Sequence, residues 1–331
     1  MSRHVVVIIP FFQRIRGLLS SALRGVFDQR DAPEIRVIVV DDESPIPAAV
    51  ELLDIDPGFR HAITVIRQPN AGPASARNTG LAAVTAGGAW IALLDSDDLW
   101  TPDHIARAVT NLEKHGNIYF SDGSLPRTGS TLFETAGFRS AEHHPIDGQS
   151  DIFALQGDYL SLLVDRSPFV TSSAVYRADV FGGLRFEPSC GICDDLAFWM
   201  SIASLSPSVV FSSRVEVFGA DAAEHISIVE DWKSNKALRV SRDLIRYYNF
   251  ALRTVPLSEE HRAKIRRKAA NERAGTVITA MAMVKDRIPL DRGLVRDCLR
   301  ESPAPAIDLL RGVTQLIRSR IIKRWGAPEG G

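Results

Sequence analysis

The stretch VIVVDDES (Val37–Ser44) sets four apolar, mostly β-branched residues directly before two aspartates. A short continuous apolar run of this kind is the pattern of a strand buried on both faces, as in a parallel sheet. Adjacent carboxylates at its end present charge at a sheet edge. The flanks repeat the theme. HVVVIIP (His4–Pro10) is a second such run, and Ile15, Leu18, Leu19, Ala22, Leu23, Val26 and Phe27 between the two recur at helical spacing. Downstream, ITVIR (Ile63–Arg67) and AWIALL (Ala89–Leu94) read as strands, with a helix over Ala74–Ala86 between them. Thr101-Pro102 reads as an N-cap with proline at the first helical position. A helix follows to about His115, and NIYFS (Asn117–Ser121) is a further strand. Strands alternating with helices predict an α/β fold: a mostly parallel central sheet with helices on both faces.

From Gly123 to Ser150 the pattern loosens into Gly, Ser, Thr, Pro and His, as in a long surface excursion or flap. Order returns with FVTSSAVY (Phe169–Tyr176) and a helix from about Asp194 to Leu205. Beyond about Glu230 only helices are expected: Asp231–Leu252, Ser258–Lys285 and an amphipathic piece from about Pro305 to Trp325. The implied organisation is an α/β domain over 1–228, in two parts (1–122 and 123–228), then a C-terminal helical region over 229–331.

Composition narrows the class. With 331 residues, 45% hydrophobic and 24% charged, the chain sits in the ordinary globular range. A net charge of −1 gives no nucleic-acid signal. No apolar run approaches the ~20 residues that span a bilayer, and the N-terminus shows no secretory pattern, so a cytoplasmic protein is expected. Cys190 and Cys193 form a C-x-x-C, but a zinc site needs a second ligand pair that Cys298 alone does not supply. Two reduced thiols in a loop are expected instead.

Ligands on an open parallel sheet bind at the carboxyl ends of the strands. There lie PFFQR (Pro10–Arg14), Asp41-Asp42 and DSDD (Asp95–Asp98). Three carboxylates in four residues repel unless a cation sits among them. Magnesium or manganese suits oxygen ligands and commonly bridges one or two carboxylates to substrate phosphates. Helix capping by Asp97 or Asp98 is the plainer alternative. In NAGPASARNTG (Asn70–Gly80), Gly72-Pro73 makes a turn and Arg77 falls in the first turns of the helix, where its planar fork suits a phosphate; a plain surface arginine is the alternative. A phosphorylation receiver also gathers acids at a strand end. Here, however, a full strand and helix precede the acid pair, and the only lysine in the next stretch, Lys114, precedes His115 rather than a proline.

IIPFFQR, VVDDES, NAGPASARNTG, LLDSDDLW and CDDLAFW occur in the order and approximate spacing of the family 2 glycosyltransferases of GT-A fold, which the chain resembles over roughly Val5–His225. The resemblance implies an inverting transfer from a nucleotide-diphosphate sugar, most simply a UDP-sugar, to a hydroxyl of a glycan or lipid-linked acceptor. Pro10, Phe11 and Phe12 would line the nucleotide pocket, together with Asn70, Gly72 and Ser96. Asp42 would accept a hydrogen bond from the base, typically uracil N3–H, and Arg77 would hold the nucleotide or diphosphate. Asp95 would reach ribose or metal, Asp97 would ligate Mn2+ or Mg2+, and Asp98 would support it. Asp195 would be the catalytic base, with Asp194 beside it or capping the helix. His225 would lie near the metal, although its serine partner, Ser227, stands at an unusual spacing. Phe11-Phe12-Gln13 replaces the usual Thr-Tyr-Asn, Asp194 replaces Glu, and Ser201 stands where an arginine often follows. A non-catalytic donor-binding scaffold subunit and a nucleotidyltransferase of related fold are the rivals; the latter needs a Gly-rich basic loop after the first strand that PFFQRIRG lacks.

Leu309–Trp325 carries Arg311, Arg318, Arg320, Lys323 and Arg324, no acid, and an apolar set ending in Trp325. This is the composition of an interfacial helix on anionic lipid, giving peripheral contact with the cytoplasmic membrane face. The alternatives are packing on the catalytic domain or on the partner copy of a homodimer. Deleting the chain from about Pro303 is expected to reduce co-sedimentation with anionic vesicles while sparing donor hydrolysis; unchanged sedimentation would rule out the membrane assignment.

Overall fold

A computed structural model of the chain describes residues 4–84, 90–125, 129–219 and 231–301, with 307, 310 and 314 beyond. His225, Ser227 and, apart from Leu310 and Thr314, the basic segment 309–325 lie outside the described residues. The chain divides into two compact units: a sheet unit, Met1–Pro188 with Phe198–Ala223, and a helical unit, Ser189–Ala197 with Glu224–Gly331.

The strands are β1 (His4–Phe11), β2 (Glu34–Asp41), β3 (Ile63–Arg67), β4 (Trp90–Leu93), β5 (Asp98–Trp100), β6 (Ile118–Leu125), β7 (Ser130–Thr131), β8 (His144–Pro145), β9 (Ile152–Ala154), β10 (Ala174–Arg177) and β11 (Val209–Gly219). The helices are α1 (Leu18–Phe27), α2 (Ala48–Glu51), α3 (Pro73–Ala83), α4 (His104–Lys114), α5 (Leu132–Ala136), α6 (Tyr159–Asp165), α7 (Ala178–Phe181), α8 (Asp194–Ala203), α9 (Asn235–Thr254), α10 (Glu259–Lys285) and α11 (Arg292–Arg300). They form one sheet in the order β3-β2-β1-β4-β10-β6-β11-β9-β8, with β5 on β11 and β7 on β6. The first four strands run parallel. β10 is antiparallel to both neighbours, and β6–β11 is parallel again, so the sheet as a whole is mixed.

β1 occupies the centre of the parallel half, and Val5 to Ile9 are all at most 4% exposed. Burying one such side chain fully stabilises by about 1.5–3 kcal/mol. Val5, Val7 and Ile9 face a core with Leu19, Leu23 and Ile105. Ile8 meets α3 so closely that a Cβ on Gly80 would fall 2.5 Å from its Cγ2. A side chain at Gly80 would lift α3, and Arg77 with it, off the sheet.

Several local expectations are corrected. Ile15 precedes α1 and is 64% exposed; the helix begins only after Gly17, whose φ of 98° breaks the run. α3 ends at Ala83, three residues short of the predicted end. Thr101-Pro102 does not start a helix. DLW instead forms β5 against β11, Thr101 N–H donates to the Glu216 carbonyl at 2.9 Å, and α4 starts at His104. The FVTSSAVY stretch enters through a helical turn, Thr171–Ser173, before β10. The expected excursion holds structure, including α5 capped reciprocally by Thr131 and Glu134.

Beneath β5 sits a buried ionic network. Glu216 of β11 is fully buried and accepts from His104 Nδ1 (2.9 Å), Arg107 Nε (2.7 Å) and Tyr119 Oη (2.8 Å). Burial works to raise the Glu216 carboxyl, yet hydrogen bonds from His104, Ser212 and Arg107 and the charge of His104 hold it below the ordinary carboxylate range.

In the helical unit Leu238, Met283 and Leu294 form the core among α9, α10 and α11. Ser234, Ser258 and Asp291 cap the three helices through side-chain oxygens; each such cap contributes about 1 kcal/mol. The Ser234 cap explains why α9 begins at Asn235 rather than Asp231. Cys190, Cys193 and Cys298 are buried free thiols.

Glu216→Ala removes the acceptor of buried His104 and Tyr119, while Arg107 keeps Asp151 at 3.0 Å; breaking a buried pair in this way costs about 3–5 kcal/mol. Chemical denaturation is expected to show a loss of that size. Because the folded carboxyl is depressed, its contribution is present at neutral pH and fades as pH falls through the acid range, so the gap between wild type and variant should close on acidification.

Candidate active site

The ends of β2 and β4 flank that of β1. At the end of β2, Asp41 is committed to its own turn: its carboxylate accepts from Ser44 N–H (2.8 Å) and Ala48 N–H (2.9 Å). Asp42 turns the other way and is 3% exposed. It accepts from Gln68 Nε2 (2.7 Å), Ala71 N–H (2.9 Å) and Gly72 N–H (2.8 Å). Asn70 Nδ2 donates back to the Asp42 carbonyl at 3.0 Å. Asp42 thus holds the turn that launches α3. After β1, Phe12 is 39% exposed with the Arg14 guanidinium 5.7 Å from its ring centre. Gln13 bridges to the other strand ends, with its N–H on Ser44 Oγ (2.9 Å) and its Nε2 on Ser96 Oγ (3.1 Å).

After β4 the chain makes an acidic turn, closed by Asp98 N–H on the Asp95 carbonyl at 3.0 Å. Arg77 of α3 is 7% exposed at its side chain and donates through Nη2 to Asp95 Oδ1 at 2.7 Å, whereas Asp95 is 38% exposed. Behind Arg77 stands Phe186, its ring centre 5.2 Å from the guanidinium carbon. Asn78 grips the Phe186 backbone at both ends, Nδ2 to O at 2.9 Å and N–H to Oδ1 at 2.8 Å. Ser172, fully buried, accepts from Asp95 N–H through Oγ (3.0 Å) and from Trp100 Nε1 through its carbonyl (2.6 Å). Gln68, Asn78, Ser172 and Phe186 were not singled out by sequence. Asn78 lay inside a quoted motif, and Ser172 showed only as the middle of three hydroxyl residues, Thr171 to Ser173, in FVTSSAVY.

The turn holds more negative charge than Arg77 offsets. Asp98 is pushed up to about 8 by burial, then by the charges of Asp95 and Asp97; a hydrogen bond from Ser172 and the charge of Arg77 work the other way. Such a carboxylate is held by a proton or by a cation. Among the described residues no cluster of three or more His, Cys, Asp or Glu is disposed to cage a metal ion. The donor set nevertheless fits a hard divalent cation that takes one or two carboxylates and completes its shell from phosphate and water.

Asp194 and Asp195 open α8 within the helical unit. Asp194 is 3% exposed. Asp195 is half-buried, and its Oδ1 accepts the Leu196 N–H at 2.7 Å.

A largely parallel sheet whose strand ends carry an acid pair, a helix-borne arginine and an acidic turn has the GT-A architecture, and the chain belongs to the family 2 glycosyltransferases. The family model "Glycosyl transferase family 2" matches residues 6–158. "Succinoglycan biosynthesis protein ExoW" of Rhizobium meliloti is 48% identical over 227 residues, 68% of this chain and 70% of that one. "Pre-mycofactocin glycosyltransferase" of Mycobacterium tuberculosis is 45% identical over 98 residues, 29% of this chain and 18% of that one. Among solved structures, S. aureus TarS 1-349 in complex with UDP-GlcNAc superposes with TM-score 0.57 at 16% identity, covering 98% of this chain and 89% of that one. Mannosyltransferase PcManGT from Pyrobaculum calidifontis, with GDP-Man and Mn2+, gives 0.56 at 16% identity over 97% and 87%. Among the described residues no helix is long and apolar enough to cross a membrane.

A raised Asp98 disfavours the folded state as pH climbs: full stability holds below the ordinary carboxyl range and is lost toward about 8. In metal-free buffer, Asp98→Asn is therefore expected to raise the melting temperature by about 2–4 °C at pH 9 and by much less at pH 5. A pH-independent effect would show that the ionised Asp98 carboxylate is not what costs stability.

Proposed function

We propose that this glycosyltransferase is inverting and metal-dependent. It takes a nucleotide-diphosphate sugar, a UDP-sugar by preference, and transfers the sugar to a hydroxyl of a glycan or lipid-linked acceptor in polysaccharide assembly. The observation that carries the reading is the gathering of Asp95, Asp97 and Asp98 in the turn after β4, with Arg77 on Asp95 and the Asp98 carboxyl raised. Such a site attracts a cation that brings a diphosphate with it. The succinoglycan biosynthesis named for the Rhizobium meliloti relative supports polysaccharide assembly, and the UDP-GlcNAc bound to TarS and the GDP-Man and Mn2+ bound to PcManGT support a nucleotide-diphosphate-sugar donor.

In this reading Asp97 and Asp95 hold Mn2+ or Mg2+, with Asp98 supporting them. When bound, the cation supplies charge that offsets the growing negative charge on the leaving diphosphate. Arg77 keeps Asp95 in place and lends its charge to the same end of the donor. Asp42 accepts three hydrogen bonds from its turn, which leaves one lone-pair direction of about four for the uracil N3–H. Gln13 and Ser96 set the depth of the nucleotide pocket, and Phe12 covers the base. The acceptor oxygen bonds to the anomeric carbon from the face opposite the leaving group, the carbon–diphosphate bond breaks, and the hydroxyl proton passes to the Asp195 carboxylate. Peripheral membrane contact through the basic residues of 309–325 belongs to the same reading, since it would place the enzyme beside a lipid-linked acceptor.

A calorimetric screen of UDP-glucose, UDP-galactose, UDP-GlcNAc and GDP-mannose, with and without Mn2+, is expected to give metal-dependent binding of a UDP-sugar. Metal-independent silence across the panel would sink the scheme. Asp195→Asn is expected to keep donor binding and lose transfer by about 10²–10⁴-fold. Wild-type turnover in that variant would remove Asp195 from the base role.

A further inference from the structure

α9 is buried on two sides: Leu238 and Ile245 lie on one, and Asp243, Tyr247 and Ala251, at i, i+4 and i+8, on the other, where the Asp243 carboxylate is 2% exposed. Burying an ionised group costs several kcal/mol unless it is paired, and an apolar residue in its place is often neutral or stabilising. Packing alone therefore does not explain an aspartate here. Its partners do. Oδ1 takes Arg242 Nε at 2.8 Å, and Oδ2 takes the backbone N–H of Ile192 at 3.2 Å.

Ile192 follows the sharpest feature of the helical unit. The turns of Pro188–Cys193 break at Gly191, which adopts φ 60°, ψ −125°. Only glycine visits that region readily. Space imposes the same choice independently, since a Cβ on Gly191 would lie 2.3 Å from Asp243 Oδ2 and 2.4 Å from its Cγ. The carboxylate is wedged into the gap left by the missing side chain and holds the next amide. Two residues beyond Ile192, α8 begins with Asp194 and Asp195. Cys193, between them, is pushed well up, first by burial and then by the charges of Asp195, Asp243, Cys190 and Asp194, so these groups share one poorly solvated neighbourhood.

We propose that Asp243 is a positioning residue for transfer: by clamping Gly191 and Ile192 it fixes the start of α8 and hence the direction of the Asp195 carboxylate. The helical region after the catalytic sequence motifs is thus part of the catalytic apparatus. This rests on the assignment of Asp195 as base. It does not alter donor recognition, whose residues lie in the sheet unit.

The test compares full-length Asp243→Leu, Asp243→Asn and Asp195→Asn. UDP with Mn2+ serves as the calorimetric binding probe, and turnover is measured with whichever donor the panel above selects. Asp243→Leu should lower kcat by about 10–100-fold, with donor KM and UDP affinity within twofold of wild type. It should also speed amide exchange in peptides spanning 189–197 and leave those of β1 and β4 unchanged. Asp243→Asn keeps an acceptor oxygen and should recover most of the rate. If Asp243→Leu does not fold, Gly191→Ala, which drives a methyl into the carboxylate, should show the same kcat loss. Wild-type kcat in Asp243→Leu alongside an inactive Asp195→Asn overturns the clamp and leaves the base standing. An active Asp195→Asn overturns the base instead, and local exchange at 189–197 then decides the clamp alone. A parallel fall of kcat and UDP affinity would mean general damage and would overturn the positioning role.

Discussion

Negative charge at the carboxyl ends of β2 and β4 is the constraint around which the sheet unit is arranged. Each acid there must find a partner, and the partners are of different kinds. Asp41 is neutralised by turn amides of its own loop, and Asp42 by the amides that launch α3. Asp95 is met by an arginine carried on that same helix. Arg77 can arrive there because Gly80 lets α3 lie against Ile8. Asp98 is raised first by burial and then by the charges of Asp95 and Asp97, with a hydrogen bond from Ser172 working the other way.

The acidic turn also has to be held still. Backbone pairing to β11 fixes β5 in the register Asp98 to Gly219, and β11 is in turn locked from beneath by Glu216 and its buried partners. Ser172 ties the other end of the turn to the segment before β10. The acids therefore rest on a fold-wide scaffold and not on a mobile loop, which suits a site that must stabilise charge without reorganising.

How much of this was legible in the sequence follows from distance along the chain. The parallel half could be read because its signals are local: apolar β-branched runs, helical spacing, acids at strand ends. ITVIR matched its strand to the residue. What escaped reading depends on pairs far apart. β5 is three residues hidden inside an acidic motif and exists only because β11 offers an edge more than a hundred positions later. Thr101-Pro102 had good capping chemistry, but its N–H was claimed by the same strand. Ser172, Glu216 and Phe186 act through partners 77, 112 and 108 positions away. Gly191 looks like any loop glycine until Asp243 is seen in the space beside it.

The partition of the chain also separates heritable modules from structural ones. The family model's match ends at residue 158, and Ser189–Ala197 beyond it groups with helices that begin about forty residues later. A recombination that grafts one relative's C-terminal helices onto another's catalytic sequence would place an unfamiliar side chain opposite Gly191. Viable crossovers should therefore move the nine-residue segment and α9 as a single inheritance, and drift at position 191 should be tolerated only in step with position 243.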